Sequence, residues 1–207
     1  MKVAIINYGM GNLNSVRRAF EDIGAEAIIA NHPSVLYEVN RVVLPGVGAF
    51  AEGMAHLSHG GWITAMHDVV VNQNKPLLGI CLGMQMLATR GHEGGLTEGL
   101  GLIPGQVQRL DVLGCNHRIP HVGWNDVSYK TEDLLFEGIP ESSDFYFVHS
   151  YAFVPESAEH LIATVPYGVD FAAAIRNGHV FGCQFHPEKS SKAGRQLLKN
   201  FMSYAPC

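Results

Sequence analysis

The sequence contains few of the features that mark nucleic-acid-binding, membrane or exported proteins. Its 207 residues include 14 Lys and Arg against 19 Asp and Glu, and no long basic run is present. Because contact with phosphate backbones requires clustered Lys and Arg, a nucleic-acid partner is not expected. No apolar run approaches the length of a membrane span, and Lys2–Ile6 is too short for the core of a signal peptide. We therefore expect no membrane partner and a cytoplasmic location.

Cysteine is also scarce and is not clustered. The four cysteines are Cys81, Cys115, Cys183 and Cys207, with no C-x-x-C spacing. This scatter predicts neither a disulfide framework nor a zinc site, and no metal or other cofactor is expected. With 47% hydrophobic and 16% charged residues, the chain can bury one substantial core, so we expect a single domain over residues 1–207.

Two patterns organise the chain. In the first half, continuous apolar runs typical of strands alternate with helical periodicity. Strands are expected at Lys2–Ile6, Ala27–Ala30, Arg41–Leu44 and from Pro76 onward, and helices at Leu13–Ile23, Glu52–Leu57 and Trp62–Asn72. Strands that are apolar on both faces indicate a parallel sheet covered by helices.

Strands and turns dominate after about residue 100. Strands are expected at Gly105–Leu110, His117–Val122, Phe145–His149, Leu161–Val165, Phe171–Arg176 and His179–Phe185, and a last helix at Ala193–Phe201. The fold class is therefore predicted to be α/β, with a mixed, mostly parallel central sheet flanked by helices and an antiparallel extension. Active sites of such sheets lie at the carboxyl ends of strands.

One of these strand ends carries a cysteine between two glycines. The strand from Pro76 breaks into a helix at Cys81, with Gly79 and Gly83 two residues to either side. This spacing is typical of a nucleophile elbow, where crowding favours glycine at both flanking positions. A helix starting at Leu82 would direct N–H groups at the sulfur, favour the thiolate and offer one oxyanion donor. From this segment alone, a buried structural cysteine stays an alternative.

The far end of the chain supplies a base and its orienting group. An apolar strand runs into His186, followed by Pro187 and Glu188. A cysteine nucleophile needs an imidazole to carry a proton to the leaving group, and the imidazole needs a carboxylate to fix its tautomer. An H-x-E pair is weak alone, but with an elbow cysteine upstream it predicts a triad of Cys81, His186 and Glu188.

These segments resemble the class I, or triad, glutamine amidotransferases, and more narrowly the glutaminase subunits of imidazole glycerol phosphate synthase. The matching segments are Asn7–Asn12, Leu44–Phe50, Gly79–Gln85, Pro120–Asn125, Tyr146–Tyr151 and His186–Ser190. The resemblance implies hydrolysis of glutamine to glutamate and ammonia through a cysteine thioester. It also implies a heterodimer with a cyclase subunit, which uses the ammonia to form imidazole glycerol phosphate and aminoimidazole carboxamide ribotide in histidine biosynthesis.

The resemblance also assigns the oxyanion donors. They are the amides of Leu82 and Val47, the second of which need not be aimed correctly at rest. Val47 lies in Pro45–Gly48, where most triad relatives carry a G-G-P-G-S type segment, and this difference is specific to the histidine-pathway enzyme. Without the resemblance, a plain turn after a strand stays the less favoured alternative.

Glutamine needs partners for its carboxamide, α-amino and α-carboxylate groups. Gln85 lies one helical turn beyond Cys81 on the same face, so its amide can reach the substrate. A glutamine on the helix surface is the alternative, and the resemblance implies the substrate contact. Glu93 is a solvated loop acid on sequence alone and a glutamine ligand by resemblance. The resemblance adds Gly48 and, near the α-carboxylate, His149, Ser150 and Tyr151.

Four further residues are expected at the cyclase interface. By resemblance, the loop with Asn12 lies at that face, and Lys189 would form a salt bridge there. Gly123-Trp124-Asn125 reads as a strand exit; tryptophan is more often core, but beside the site we favour Trp124 and Asn125 as interface residues.

Two other functions stay open on the sequence. Another triad amidotransferase or a glutamyl-peptide hydrolase would share the triad but would not need Pro45–Gly48 or His121–Asn125. A non-catalytic binding module on the same fold is disfavoured because all three triad positions are filled.

Overall fold

The computed structural model describes residues 1–205, so Cys207 lies outside the described residues. Its strands are β1 (Lys2–Ile6), β2 (Glu26–Ala30), β3 (Arg41–Gly46), β4 (Leu77–Cys81), β5 (Arg90–Gly91), β6 (Thr97–Glu98), β7 (Gly105–Arg109), β8 (His121–Asp126), β9 (Ser128–Tyr129), β10 (Asp144–His149), β11 (Tyr151–Pro155), β12 (Leu161–Tyr167), β13 (Val169–Asn177) and β14 (Val180–Cys183). Its α-helices are α1 (Leu13–Glu21), α2 (Phe50–His59), α3 (Trp62–His67), α4 (Leu82–Met86) and α5 (Ser191–Ser203). Short 3₁₀ helices lie at Pro33–Glu38, Leu134–Phe136, Ala158–His160 and Pro187–Lys189, and a short π-helix lies at Asp68–Asn72.

A large mixed sheet forms the centre of the fold. Within residues 1–205 it has eight strands in the order β2-β1-β3-β4-β14-β13-β12-β9. The pairs from β2 across to β14 are parallel, and β13, β12 and β9 extend the sheet in antiparallel fashion. The predicted mixed, mostly parallel sheet with an antiparallel extension is therefore confirmed.

Alternation along the parallel strands explains the two-sided core. Successive side chains of a strand point to opposite faces, and both faces of this sheet are covered. Ile5 and Val43 pack in one buried cluster, whereas Ala4 and Val42 pack in the other. Helix α1 covers the first face with Val16 and Phe20, which lie four residues apart on the same side of the helix.

Two smaller sheets close the site. β8 pairs with β10, and β11 pairs with β7, which continues to β5 and β6. The strand expected at His117–Val122 was placed too early, because the paired segment is His121–Asp126 and follows Pro120, which has no N–H to donate. Trp124 therefore lies inside a strand and not at a strand exit.

No helix of the described part, residues 1–205, has the length and apolar character needed to cross a membrane.

Candidate active site

Cys81 lies at a strained turn between β4 and α4. Its backbone has φ of +55° and ψ of −111°, and its side chain is buried. A Cβ on Gly79 would lie 2.7 Å from the Gly83 carbonyl oxygen, and a Cβ on Gly83 would collide with the Leu44 carbonyl. Both flanking positions therefore require glycine, as expected of a nucleophile elbow. Helix α4 has only five residues, so its dipole is short.

His186 and Glu188 form a buried ion pair at the end of the strand next to β4. Nδ1 of His186 lies 2.7 Å from Oε1 of Glu188, and the two side chains are 5% and 2% exposed. The His186 N–H donates to the Tyr146 carbonyl at 2.9 Å, and the Ser190 hydroxyl donates to the His186 carbonyl at 2.6 Å. The imidazole is therefore held through both its backbone and its ring.

The His186 ring is set up as a proton donor. Burial lowers the pKa of His186, but its interactions with Cys81 and Glu188 outweigh burial and raise the pKa to about 9. Nε2 is buried and has no partner of good hydrogen-bond geometry among residues 1–205, and the interaction with Cys81 is the largest of the effects that raise the pKa. At neutral pH this position favours an imidazolium beside the sulfur.

Two linked glutamine side chains lie beside the sulfur. The Gln184 amide N–H lies 3.8 Å from Cys81 Sγ, and its oxygen accepts from Gln85 Nε2 at 3.0 Å. Gln85 Nε2 also donates to the Tyr151 carbonyl at 2.9 Å. Both amide hydrogens of Gln85 are thus occupied, which leaves its oxygen to accept from a substrate amide.

The loop expected to complete the oxyanion hole follows the neighbouring strand. β3 pairs with β4 in parallel, and Gly46 lies opposite the nucleophile. The Val42 N–H donates to the Pro76 carbonyl at 2.9 Å, so the amides of even-numbered β3 residues face β4. By this alternation the Gly46 carbonyl points toward the Leu82 N–H. The Val47 N–H, on the other side of the same planar peptide, points away.

The Leu82 and Val47 amides therefore do not converge on one oxyanion position in this structure. The conformation of the loop is compatible with movement, because Val47 is 46% exposed and Gly48 has φ of +107°. A side chain at Gly48 would adopt this φ only with strain.

A pocket of about 320 Å³ opens above the nucleophile. Its lining contains the residues expected to act on or hold the substrate: Val47, Gly48, Cys81, Leu82, Gln85, Glu93, His149, Ser150 and Tyr151, together with Pro120 and Val148. The structure thus brings these predicted residues to one site. Larger grooves, of about 400 to 990 Å³, lie elsewhere on the surface, and none of them is lined by a cysteine.

Glu93 has a structural contact as well as a place in the pocket. Its Oε2 accepts from the Phe50 N–H at 2.7 Å, at the first residue of α2. Ala49, the N-cap residue of that helix, has no side-chain oxygen to offer, so Glu93 supplies the missing cap from a distant loop. The expected contact of Glu93 with glutamine stays a prediction.

His149 forms a buried chain with His121. Nδ1 of His149 lies 2.8 Å from the Tyr151 carbonyl, so it carries the proton, and Nε2 accepts from Nδ1 of His121 at 3.0 Å. Burial lowers the pKa of His121 to about 4 and that of His149 to about 3. Both rings are therefore neutral, and His149 shapes the pocket wall with its nitrogens already engaged.

Comparison with known proteins identifies the family. The family model described as "Glutamine amidotransferase class-I" matches residues 4–204. The "Imidazole glycerol phosphate synthase subunit HisH" of Moorella thermoacetica is 47% identical over 96% of this chain and 93% of the relative. The subunit of the same name from Geobacter sulfurreducens is 44% identical over 97% of each chain.

The chain belongs to the HisH subunits of the class I glutamine amidotransferases. Solved structures agree with this fold at lower sequence identity. "PurLQS from Thermotoga maritima" covers 98% of both chains with a TM-score of 0.75 at 18% identity. A "putative gmp synthase subunit a protein" from Thermoplasma acidophilum covers 98% of this chain with a TM-score of 0.74 at 20% identity.

This class I amidotransferase has an exposed aromatic face next to the pocket. On the paired strands β8 and β10, Trp124 lies opposite Tyr146, and Val122 lies opposite Val148. Trp124 is 52% exposed, and the Lys189 ammonium lies 5.3 Å from the centre of the Tyr146 ring. An exposed apolar surface of this kind is typical of a protein interface.

The other two expected interface residues have contacts within the chain. Asn12 is exposed and caps α1 by accepting from the Ser15 N–H at 3.4 Å. Asn125 is half-buried, and its amide donates to the Pro166 carbonyl at 2.8 Å. Their roles at an interface stay predictions.

Several residues of the HisH site were not anticipated from the sequence. Gln184 touches the nucleophile, His121 orients His149, and the Tyr8 hydroxyl lies against Gly46. Tyr8 and His121 lie in segments that match the family, but the sequence gives neither of them a role, and Gln184 belongs to no motif. Their contacts become visible only from the strand pairing. Cys115 and Cys183 are buried, and burial raises the pKa of the Cys183 thiol, as suits a structural cysteine. Across residues 1–205 no cluster of His, Cys, Asp and Glu has a metal-binding arrangement.

Proposed function

We propose that this chain hydrolyses glutamine at Cys81 and passes the ammonia to a cyclase subunit. The observation that carries the proposal is the triad itself, a buried cysteine at a strained elbow beside a histidine whose Nδ1 is bound to a buried glutamate at 2.7 Å. The family and the HisH relatives support glutamine as the substrate.

The first half-reaction forms a thioester. The Cys81 sulfur attacks the δ-carboxamide carbon, and the carbonyl π electrons move to its oxygen. His186 then donates its Nε2 proton to the departing nitrogen, which leaves as ammonia when the C–N bond breaks. The raised pKa of His186, about 9, suits this step because the proton is present at neutral pH.

The second half-reaction releases glutamate. His186, now neutral, accepts a proton from water, whose oxygen attacks the thioester carbon. The C–S bond breaks, and Cys81 and His186 return to their starting charges. Glu188 holds the ring in one tautomer and stabilises the imidazolium in both halves.

The pocket supplies groups that suit glutamine. The free oxygen of Gln85 would accept from the carboxamide, and Glu93, which lines the same pocket, would pair with the α-ammonium. Ser150 and Tyr151 line the pocket and would lie beside the α-carboxylate, and His149 holds the Tyr151 carbonyl through a hydrogen bond.

The oxyanion hole forms in a second conformation. Half a turn of the Gly46–Val47 peptide moves the Gly46 carbonyl away from Leu82 and directs the Val47 N–H inward. Such a turn needs torsional freedom that Gly46 and Gly48 provide. We assign control of this turn to the cyclase, so that ammonia is released when it can be used.

The cyclase binds the face of Trp124, Tyr146 and Lys189. This face carries an exposed tryptophan and continues to the pocket through Val148, whose carbonyl lies 3.8 Å from Cys81 Sγ. Aromatic residues and a cation around an opening are typical of interface anchors. Asn12 and Asn125 would lie at its margin.

The test is replacement of the nucleophile in the purified complex. Cys81→Ala should abolish glutamine-dependent synthesis and leave synthesis from added ammonium intact, while Cys115→Ala serves as the matched cysteine control. An electrophilic glutamine analogue should label Cys81 and no other cysteine. Full glutaminase activity in Cys81→Ala, or labelling mainly at Cys115, would contradict the proposal.

A further inference from the structure

A tyrosine hydroxyl is buried beside the site without a partner. Tyr8 follows β1 and is 5% exposed, and among residues 1–205 its hydroxyl oxygen has no hydrogen-bond partner. Its backbone is anchored, because the His56 ring donates to the Tyr8 carbonyl at 2.9 Å. Since buried polar groups in folded proteins are nearly always paired, an unpaired one at an active site points to a second state in which it is bonded.

The hydroxyl lies against the residue whose peptide must turn. A Cβ added to Gly46 would collide with the Tyr8 oxygen and would lie 3.0 Å from Leu82 Cβ. The hydroxyl is therefore packed at the Gly46 Cα, between the oxyanion loop and the elbow. Burial, and to a smaller extent the charge of Cys81, raises the pKa of Tyr8, so its hydroxyl keeps its proton and can donate a hydrogen bond.

The sheet order gives the direction of the turn. β3 lies between β4 and β1, and at rest the Gly46 carbonyl faces β4. Half a turn of its peptide carries that carbonyl to the β1 side. Tyr8 follows β1, which pairs with β3 on that side, and its hydroxyl already lies against Gly46.

The geometry points to Tyr8 as a positioning residue that holds the oxyanion loop in its active conformation. In the turned state the Tyr8 hydroxyl donates to the Gly46 carbonyl, which has lost its place near the Leu82 N–H. This hydrogen bond gives the Tyr8 hydroxyl a partner. It also holds the peptide in the conformation in which the Val47 N–H points toward the substrate. The inference rests on the proposed function, because it concerns the same glutaminase step.

Tyr8→Phe removes this oxygen and little else. Because the hydroxyl is unpaired at rest, the variant should unfold at the same temperature as the parent chain or higher. Its kcat for glutamine hydrolysis by the free chain should fall on the order of tenfold, with KM unchanged, because fewer molecules reach the turned state. Added ammonium should support synthesis in the complex at the unchanged rate.

Tyr129→Phe is the matched control. The Tyr129 hydroxyl is bonded, at 3.1 Å to the Pro140 carbonyl, and lies outside the pocket. This variant should lose stability and keep its kcat, the reverse of Tyr8→Phe.

An unchanged kcat in Tyr8→Phe would overturn the inference, as would a loss of stability equal to that of Tyr129→Phe. If Tyr8→Phe has no effect while Cys81→Ala abolishes glutaminase activity, the proposed function stands and only the role of Tyr8 is lost. Glutaminase activity in Cys81→Ala would remove the proposed function and the role of Tyr8 together.

Discussion

The two halves of the site differ in how completely they are assembled. On the triad side, His186 is held by its backbone, and its ring is bound to Glu188 at 2.7 Å. On the oxyanion side, Val47 is 46% exposed and the Tyr8 hydroxyl is unpaired among residues 1–205. The groups that move protons lie together at rest, whereas the Val47 amide expected to stabilise the oxyanion points away.

This difference separates chemistry from control. Reactive groups lose little by being preassembled, because attack on the carboxamide places negative charge on its oxygen and stays slow until that charge is stabilised. An oxyanion donor commonly contributes a factor of about 10²–10³ in rate, so one misdirected amide is enough to keep the site slow. A single peptide in the Pro45–Gly48 loop can therefore act as the switch.

The largest effect is expected on the assembled side. His186→Ala should lower kcat by about 10⁵–10⁶, and Glu188→Gln by about 10³–10⁴, since the orienting member is the least costly to remove. His186 has its pKa raised to about 9, so its proton is present below that pH and lost above it. We expect kcat/KM to fall above about pH 9, and at lower pH in Glu188→Gln. If kcat/KM falls at the same high pH in the parent and in Glu188→Gln, Glu188 does not raise the pKa of His186.

The next largest effect is expected on the oxyanion side. Val47→Pro removes the N–H, so the rate of the activated complex should fall by about 10²–10³ while KM for glutamine stays near its parent value. Val47→Ala keeps the amide and loses only an exposed side chain, so it should remain close to the parent. Steady-state kinetics of the two variants decide the matter. Equal activation in both would show that this amide is not a donor.

The smallest effect is expected at the pocket wall formed by His149 and its partner His121. His121 and His149 have pKa values near 4 and 3 in the folded chain, below the ordinary 6.5, so the unfolded chain binds more protons between these values. Their contribution to stability is present above pH 6.5 and is lost as pH falls toward 4, at up to about 1.4 kcal/mol per pH unit for each ring.

His121→Asn keeps a donor toward His149 but removes one titrating ring. Urea unfolding at pH 7, 6 and 5 should therefore give a shallower loss of stability in the variant than in the parent. Equal slopes would mean that His121 is not held neutral.

The sequence predicts the assembled side better than the switch. Both groups of triad-side residues are close together in the sequence and can be recognised from their spacing alone. Gly79 and Gly83 each lie two residues from Cys81, and Glu188 lies two residues after His186. The alternation of apolar strands and helices also gives the mixed, mostly parallel sheet. Trp124 was assigned to a strand exit because the preceding strand was placed four residues too early.

Contacts between distant strands are what the sequence could not give. Gln184 reaches Cys81 because β14 pairs with β4, and Tyr8 reaches Gly46 because β1 and β3 are neighbours. Neither residue carries a sequence signal of this contact. The direction of the Gly46 carbonyl depends on ladder alternation, which shifts completely with a change of one residue in register.

The most direct test of the account is the glutaminase rate in three samples. They are the free chain, the chain with its cyclase partner, and the complex with a cyclase ligand bound. Because the Val47 amide points away at rest, the free chain should be slow, and the liganded complex should be faster by about 10² or more. A free chain that already turns over at the liganded rate would show that the oxyanion hole is preformed, and would contradict the account.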